Sequence, residues 1–471
     1  MSVDVLFCSA PVMSVVRPSA ALGLLQALLR QNGIGAETLY LNLLFADRIG
    51  LDLNERLAEK LPSHLLAGDW LFGDCLGSRP GRPQARRHPS ELSAAIERKG
   101  LDQLYEIRRN LISSFVADAA DRLLERTPKI IGFTSMFEQT AASLAIAAAV
   151  KARDPSVVIC VGGANCHGPM GAVLLKNFAQ IDHVFNGEAD TVFGPAVEAI
   201  LRGEAPRGLS GCLSRDQPAA GAAAGPTAMD ALPIPDYADY FAQLPSMSEA
   251  ARVRPSIPFE SSRGCWWGQK HHCTFCGLNG EGMAFRAKSA PRVLSEIETL
   301  HAEFGIGRFA ATDNILGMSH IDGVLGRLAE RPAHGFRFFY EIKANMDEAQ
   351  LEKAGARGDG LVAARHREPV GSGAASHAQG RERAAQPAPA AQLPRARRRA
   401  GLVDPVRISR RAPRRLRRRR QDGPAARTSS AAGRLRPYPA RQVQPQFRAC
   451  RRDRIPQRHS DAGLWRDLRC P

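Results

Sequence analysis

Residues 260–288 read Glu-Ser-Ser-Arg-Gly-Cys-Trp-Trp-Gly-Gln-Lys-His-His-Cys-Thr-Phe-Cys-Gly-Leu-Asn-Gly-Glu-Gly-Met-Ala-Phe-Arg-Ala-Lys. Three cysteines, Cys265, Cys273 and Cys276, stand in a C-x7-C-x2-C pattern flanked by Gly264 and Gly277. An extended apolar lead-in, Pro255 to Phe259, comes before them, and the apolar spacing of Pro291 to Phe304 predicts an amphipathic helix after them. Three thiols on one loop between a strand and a helix point to a metal centre. Three thiolates can hold three irons of a [4Fe–4S] cluster and leave the fourth iron open to a substrate. A structural zinc is the alternative, with His271 or His272 as fourth ligand beside the cysteines. A third reading, three unrelated buried cysteines, does not explain their clustering. By contrast, Cys8, Cys75, Cys160, Cys166 and Cys212 are scattered, as expected of buried small hydrophobes.

Upstream, strand and helix patterns alternate. Val3–Cys8 and Glu37–Leu44 read as strands around a helix at Ala20–Arg30, which stops at Asn32-Gly33. Residues 50–127 are mostly helical in pattern, with a Pro/Arg-rich loop near Arg79 to Pro89. Strands are then expected at Lys129–Phe133, Val157–Val161 and His183–Phe185, and helices at Thr140–Ala152, Met170–Phe178 and Thr191–Arg202. Such alternation predicts an α/β fold with an open parallel sheet, whose ligands sit beyond the carboxyl ends of the strands. Thr134, Ser135, Gly162, Gly163, Gly187 and Glu188 fall there and are the candidate ligand residues of this part. Turn geometry alone is the competing explanation for the glycines. The Ala/Gly/Pro-rich stretch 204–252 reads as a linker between a first domain, 1–203, and a second, 253–355.

Downstream, Phe309 to Asp313 reads as a strand with Asp313 and Asn314 at its carboxyl end, the face where barrel chemistry sits. Phe336 to Ile342 reads as another, and alternation puts Glu341, Lys343 and Asn345 on one side. A solvated strand end is the alternative for those three.

With Glu260 to Gly264 ahead and Arg286 to Ser289 behind, Cys265 to Ala284 resembles the cluster loop of radical SAM enzymes. Most members of that family use C-x3-C-x2-C. The longer first spacing, with Trp-Trp and His-His inside it, resembles the members that mature ribosomally made peptides, often as C-methyltransferases. Those carry a cobalamin-binding-type α/β domain before the radical SAM barrel, and the resemblance covers roughly residues 3 to 355.

The resemblance implies that Cys265, Cys273 and Cys276 ligate a [4Fe–4S] cluster whose open iron binds S-adenosylmethionine. One electron from a reductase then cleaves the sulfonium to methionine and a 5′-deoxyadenosyl radical. The radical takes hydrogen from an unactivated carbon of a precursor peptide, and methylcobalamin delivers a methyl group. Phe275 and Gly277 are implied to lie beside S-adenosylmethionine with Asp313, Asn314, Glu341 and Lys343. On the cobalamin side, the Asp-x-His-x-x-Gly signature that supplies a histidine to cobalt is absent: His167 lacks the aspartate at that offset.

Charge sharpens the picture. The chain has 471 residues and a net charge of +17. Residues 356–471 hold 29 Arg, no Lys and 8 Asp and Glu, a net +21, which leaves −4 on the first 355. The body is therefore an ordinary, mildly acidic globular chain. The Arg-rich segment has no apolar period, no Asn, no Lys and no Met, and Ala, Arg, Gly and Pro dominate it. That is the composition of a G+C-rich gene read out of frame. With permitted codon choices, the shifted frame from about residue 364 yields a string with helical periodicity. The frame is expected to be lost between Lys353 and Ala364, leaving a truncated radical SAM core and an impaired enzyme. Aromatic residues are scarce in this segment, so nucleic-acid binding through Arg411 to Arg420 is the weaker reading. No apolar stretch reaches membrane-spanning length and no basic segment opens the chain, so a cytoplasmic location is expected.

Overall fold

The structure is a computed structural model and describes residues 3–76, 90–218, 221–271, 276, 284–330 and 335–342. All of these belong to one compact unit, Met1–Arg383. The second unit, Ala384–Pro471, and the rest of the Arg-rich segment lie outside the described residues.

The first sheet is built from β1 (Val5–Cys8), β2 (Ala36–Leu39), β3 (Ile130–Thr134), β4 (Val158–Gly162), β5 (His183–Phe185) and β6 (Cys212–Leu213). Their order is β2-β1-β3-β4-β5-β6, with the first five parallel and β6 antiparallel at the edge. In register, Val5 faces Ala36 on one side and Ile130 on the other. Alternation divides β1 between two cores: Leu6 and Cys8 join one face, Val5 and Phe7 the other. With both faces covered, β1, β3 and β4 are apolar nearly throughout, while the edge strand β2, Ala-Glu-Thr-Leu, is buried only at alternate residues. The strand order reverses direction between β1 and β3, which makes the crevice beyond their carboxyl ends the topological switch point.

One expected strand is corrected. Glu37–Leu44 is β2 only as far as Leu39, and Leu41–Ile49 is a helix. Leu41, Phe45 and Ile49 recur every fourth residue and enter one core, while Leu43 and Ala46 enter another. A short apolar run buried on two sides carries the same pattern in either conformation, so periodicity could not separate them.

Downstream strands are β7 (Ile257–Phe259), β8 (Ser262–Arg263), β9 (Arg286–Ala287), β10 (Arg308–Ala311) and β11 (Arg337–Phe339). β7, β10 and β11 form a parallel sheet in the order β11-β10-β7. A helix, Ala290–Phe304, leads to β10, and helical segments between Met318 and Ala329 lead on to β11. This is the repeating unit of a β/α barrel. The helix starts at Ser289, whose Oγ accepts from the Arg292 N–H at 3.3 Å, with Pro291 in the first turn. It ends at Gly305, whose φ of +66° suits glycine. Val293, Ile297 and Leu300 on its inner face pack with Ile257, Phe259, Phe309, Phe338 and Tyr340.

The stretch 204–252 carries β6 and a helix, Ala238–Gln243. Asp239 and Gln243 accept from the backbone N–H groups of Thr38 and Tyr40 at 2.7 and 2.9 Å. The Tyr237 hydroxyl donates to the Pro258 carbonyl on β7 at 2.8 Å. This segment therefore ties the first sheet to the second.

Candidate functional site

The cysteine loop leaves the carboxyl end of β7 and returns through β9. Its base is the two-residue ribbon in which Arg263 of β8 pairs with Arg286 of β9. Cys265 and Cys276 are half-buried and free of disulfides. Cys265 Sγ accepts the Gly268 N–H at 3.2 Å. Trp266 donates through its indole N–H to the Leu316 carbonyl at 3.1 Å and holds the loop against the segment after β10. The His271 ring packs on Trp267 with ring centres 5.0 Å apart. Cys273, Phe275 and Gly277 lie outside the described residues, as do His272, Lys343 and Asn345. Among the described residues no group of three His, Cys, Asp or Glu is arranged to hold a metal ion. A pair of free, partly accessible thiols, one already receiving an N–H bond, is a donor set that fits an iron–sulfur cluster.

Asp313 sits just past the end of β10, only 4% exposed. It accepts from the Ser261 N–H at 2.8 Å and from the Ser261 and Ser262 hydroxyls at 2.6 Å each. Burial raises its pKa, against the pull of those hydrogen bonds. These contacts fix the chain between β7 and Cys265, so Asp313 positions the loop. Asn314 is half-buried beside it. Glu341 follows β11, and its carbonyl accepts the Leu316 N–H at 2.8 Å. Tyr340, fully buried, donates to Ser261 Oγ at 3.4 Å.

An ion-pair cluster joins the base of the cysteine loop to the loop after β5. Arg263 donates to both Asp190 oxygens at 2.6 and 2.9 Å, to Glu188 at 2.6 Å and to Glu260 at 2.8 Å. Arg286 grips Glu188 with two guanidinium nitrogens and donates to the Pro226 carbonyl at 3.0 Å. Burial works against ionising Glu188, yet hydrogen bonds from Arg286 and Arg263 outweigh it and lower its pKa. Burial also opposes the charge on Arg263, and its carboxylates reverse that, raising its pKa. Glu188, expected on the cobalamin side, is thus engaged by the two arginines that bracket the cysteines. Pattern reading missed these arginines as site elements. Their placement on either side of the three cysteines was the available signal.

At the first sheet, Thr134 ends β3 and Ser135 follows it. Thr134 Oγ1 donates to Gln139 Oε1 at 3.4 Å, and Gln139 Nε2 reaches the Ala10 carbonyl at 2.7 Å across the switch point. Ser135 Oγ, Thr140 Oγ1 and Asn165 Nδ2 bond one another at 2.8 to 3.3 Å. Gly163 has φ +110°, and a Cβ there would lie 2.6 Å from the Ser135 carbonyl oxygen, so the β3 and β4 loops approach as closely as they do because it is glycine. Gly187 does the same against Ala223. Gly162 lacks such a constraint: its nearest neighbour would be Phe185 Cβ at 3.6 Å. Two buried carboxylates brace this corner. Asp69 accepts the Ala141 N–H at 2.7 Å in the first turn of the helix Thr140–Arg153, and Glu138, just before that helix, accepts the Gly68 N–H at 2.5 Å in the first turn of the helix Ala67–Phe72. Burial pushes the pKa of each up to about 7. Ser9, at the end of β1, is 1% exposed and its hydroxyl has no partner.

Of the scattered cysteines, Cys8, Cys160, Cys166 and Cys212 are buried and Cys75 is half-buried. No described helix is long and apolar enough to cross a membrane.

No family profile matches the chain. A curated relative, an uncharacterized methyltransferase of Pyrococcus horikoshii, is 26% identical over 203 residues, 42% of this chain and 42% of the relative. The chain thus matches less than half the length of that relative. Solved structures with a similar course include OxsB, a cobalamin-dependent S-adenosylmethionine radical enzyme with aqua-cobalamin and S-adenosylmethionine bound, at 13% identity. The overlap covers 75% of this chain and 41% of OxsB with a TM-score of 0.47. The radical S-adenosylmethionine methyltransferase TsrM from Kitasatospora setae, with cobalamin and a [4Fe–4S] cluster bound, is 16% identical. There the overlap covers 78% of this chain and 60% of TsrM with a TM-score of 0.48.

Proposed function

We propose that this chain is a radical SAM methyltransferase of the cobalamin-dependent kind, acting on a carbon of a ribosomally made precursor peptide, and that it is impaired as encoded. The observation that carries the reading is the C-x7-C-x2-C loop seated at the carboxyl end of β7 in a parallel β/α sheet. The name of the Pyrococcus relative, a methyltransferase, agrees with methyl transfer. OxsB and TsrM, by their descriptions, join cobalamin to S-adenosylmethionine radical chemistry. On this reading residues 1–203 hold cobalamin, 204–252 connect, 253–355 are a truncated radical core, and 356–471 are the out-of-frame product.

When bound, the cluster, S-adenosylmethionine and cobalamin supply a carbon-centred radical and a transferable methyl group. The chain's own residues hold and orient. Cys265, Cys273 and Cys276 would hold the cluster, and the Gly268 N–H supports Cys265 Sγ. Asp313 fixes Ser261 and Ser262 ahead of the loop. Glu188 and Asp190 hold its two flanking arginines. Cobalamin would sit beyond the carboxyl ends of β1 and β3, where Ser9, Thr134 and Ser135 are buried. A one-electron reductase and the peptide are the partners, and the cytoplasm is the compartment.

The test is anaerobic reconstitution, with iron counting, absorbance near 400 nm and a 5′-deoxyadenosine assay, on this chain and on a version with the reading frame restored. The restored chain should bind iron and cleave S-adenosylmethionine, and the 471-residue chain should do neither well. Robust cleavage by the latter would overturn the impairment. A colourless restored chain holding one zinc would overturn the radical reading.

A further inference from the structure

The two arms of the cysteine loop leave their ribbon differently. Ser262 pairs with Ala287 and Arg263 with Arg286, and the ladder stops there. On the first arm, Gly264 has φ +78°, which turns the chain out of the extended conformation. The arm then coils through one helix-like turn. The Gln269 N–H donates to the Cys265 carbonyl at 2.9 Å, and the Lys270 and His271 N–H groups donate to the Trp267 carbonyl at 3.0 and 2.8 Å. On the second arm, Phe285 stands one residue beyond the last rung, so the ladder does not satisfy its N–H.

Gln269 supplies the missing acceptor: its Oε1 takes the Phe285 N–H at 2.9 Å, across 16 residues of chain. That bond closes a loop which contains Cys273 and Cys276, and it springs from the turn that begins at Cys265. Both arms also rest on one short segment. Trp266 on the first arm donates to the Leu316 carbonyl at 3.1 Å. On the second, a Cβ added to Gly317 would lie 3.3 Å from Phe285 Cζ, so the Phe285 ring packs on that glycine. Leu316 is itself fixed, its N–H donating to the Glu341 carbonyl at 2.8 Å. Trp266 and Phe285 therefore have a common floor, and Gln269 ties one arm to the other above it. Gln269 is exposed, so little else in the fold depends on its side chain.

We propose that Gln269 is a positioning residue of the metal loop, whose side-chain carbonyl closes the loop on Phe285 and keeps the chain carrying Cys273 and Cys276 within reach of Cys265 before metal arrives. This rests on the three-cysteine reading above. Bringing the ends of a flexible loop together costs entropy, and a loop already closed spares the metal that cost. The side chain that does this lies inside the seven-residue interval between the first two cysteines, so the interval is a brace as well as a spacer.

The experiment uses the full 471-residue chain, reduced and metal-free, with Gln269→Leu, Gln269→Ala and Gln269→Glu. Glu keeps an oxygen that accepts the Phe285 N–H, and Leu and Ala do not. Hydrogen–deuterium exchange at the Phe285 amide should be alike in the native chain and Gln269→Glu, and about 5-fold faster in the other two. Cobalt(II), which thiolates ligate, is then titrated without oxygen into the native, Leu and Ala chains, and the part of the thiolate-to-cobalt absorbance that Cys276→Ala removes is read. Half-saturation should need about 5-fold more cobalt in Gln269→Leu and Gln269→Ala, with an unchanged urea midpoint. Should Gln269→Leu fail to fold, Gln269→Ala decides. Native exchange and native cobalt affinity in the Leu and Ala chains overturn the inference, and so does either change without the other. Cobalt absorbance that Cys276→Ala leaves intact overturns the three-cysteine reading itself and the inference with it.

Discussion

Replacing Arg263 with Ala tests whether the first sheet holds the cysteine loop in place. The Arg263 side chain is 14% exposed and faces Asp190 at 7%, Glu260 at 21% and Glu188 at 34%. Its removal takes the guanidinium away from Asp190 and Glu260 and leaves Glu188 paired with Arg286. Breaking a buried ion pair by deleting one partner costs about 3–5 kcal/mol. Glu188 is a third exposed, so water relieves part of that, and a loss of about 2–4 kcal/mol is expected. Arg263→Lys keeps the charge but cannot bridge several carboxylates at once. It should lose roughly half as much as Arg263→Ala. The assay is hydrogen–deuterium exchange across 262–263 and 286–287 together with the urea unfolding midpoint. Exchange should accelerate at that ribbon first, because the pairs bracket it. The pH dependence has a definite sign. The pKa of Glu188 is lowered by its arginines, so its stabilising contribution is present above its ordinary carboxylate pKa and disappears as pH falls through the lowered value. The native chain and Arg263→Ala should therefore converge in acid. Unchanged ribbon protection and a midpoint within about 0.5 kcal/mol of native at neutral pH would refute the reasoning.

Three further outcomes follow from the same geometry. Asp313→Asn places an amide donor against two serine hydroxyls and an N–H, and should cost about 1–3 kcal/mol in urea unfolding, with an unchanged value ruling out its positioning role. Asp69 and Glu138 hold protons in the folded state up to about pH 7, so stability should decline from pH 4 to pH 7. Glu138→Gln should flatten that decline in thermal melts at stepped pH, and an identical slope would exclude Glu138 as a source. Lys288 and Glu296 form a buried pair at 2.6 Å, with side chains 2% and 0% exposed. Lys288→Met should destabilise by about 3–5 kcal/mol, while the double variant Lys288→Met with Glu296→Leu should recover much of it, and a double variant as weak as the single would show that the pair is not the cause.

Much of the first sheet was legible because its strands are short apolar runs separated by helices, and β3, β4 and β5 fall within a residue of their expected bounds at each end. The same kind of run misled at Leu41–Ile49, where burial on two sides erased the difference between strand and helix. The site divided similarly. The proposed ligands Cys265, Cys273 and Cys276 are read from residue type and interval alone, and the described residues include Cys265 and Cys276. Asp313 was legible as a residue at a strand end, but its work on Ser261 and Ser262 was not.

The sequence by itself determined the α/β character, the thiol loop, the charge divide at residue 356 and the point where apolar periodicity stops. Each is a property of neighbours along the chain. Only the tertiary structure decided that Glu188, 75 residues before Arg263, clamps the base of the thiol loop, and that Phe137 stands exposed in a turn buried on both sides. Those facts depend on which strand ends meet in space. Parallel-strand crossovers bring together residues far apart in the chain, and no local pattern records that distance.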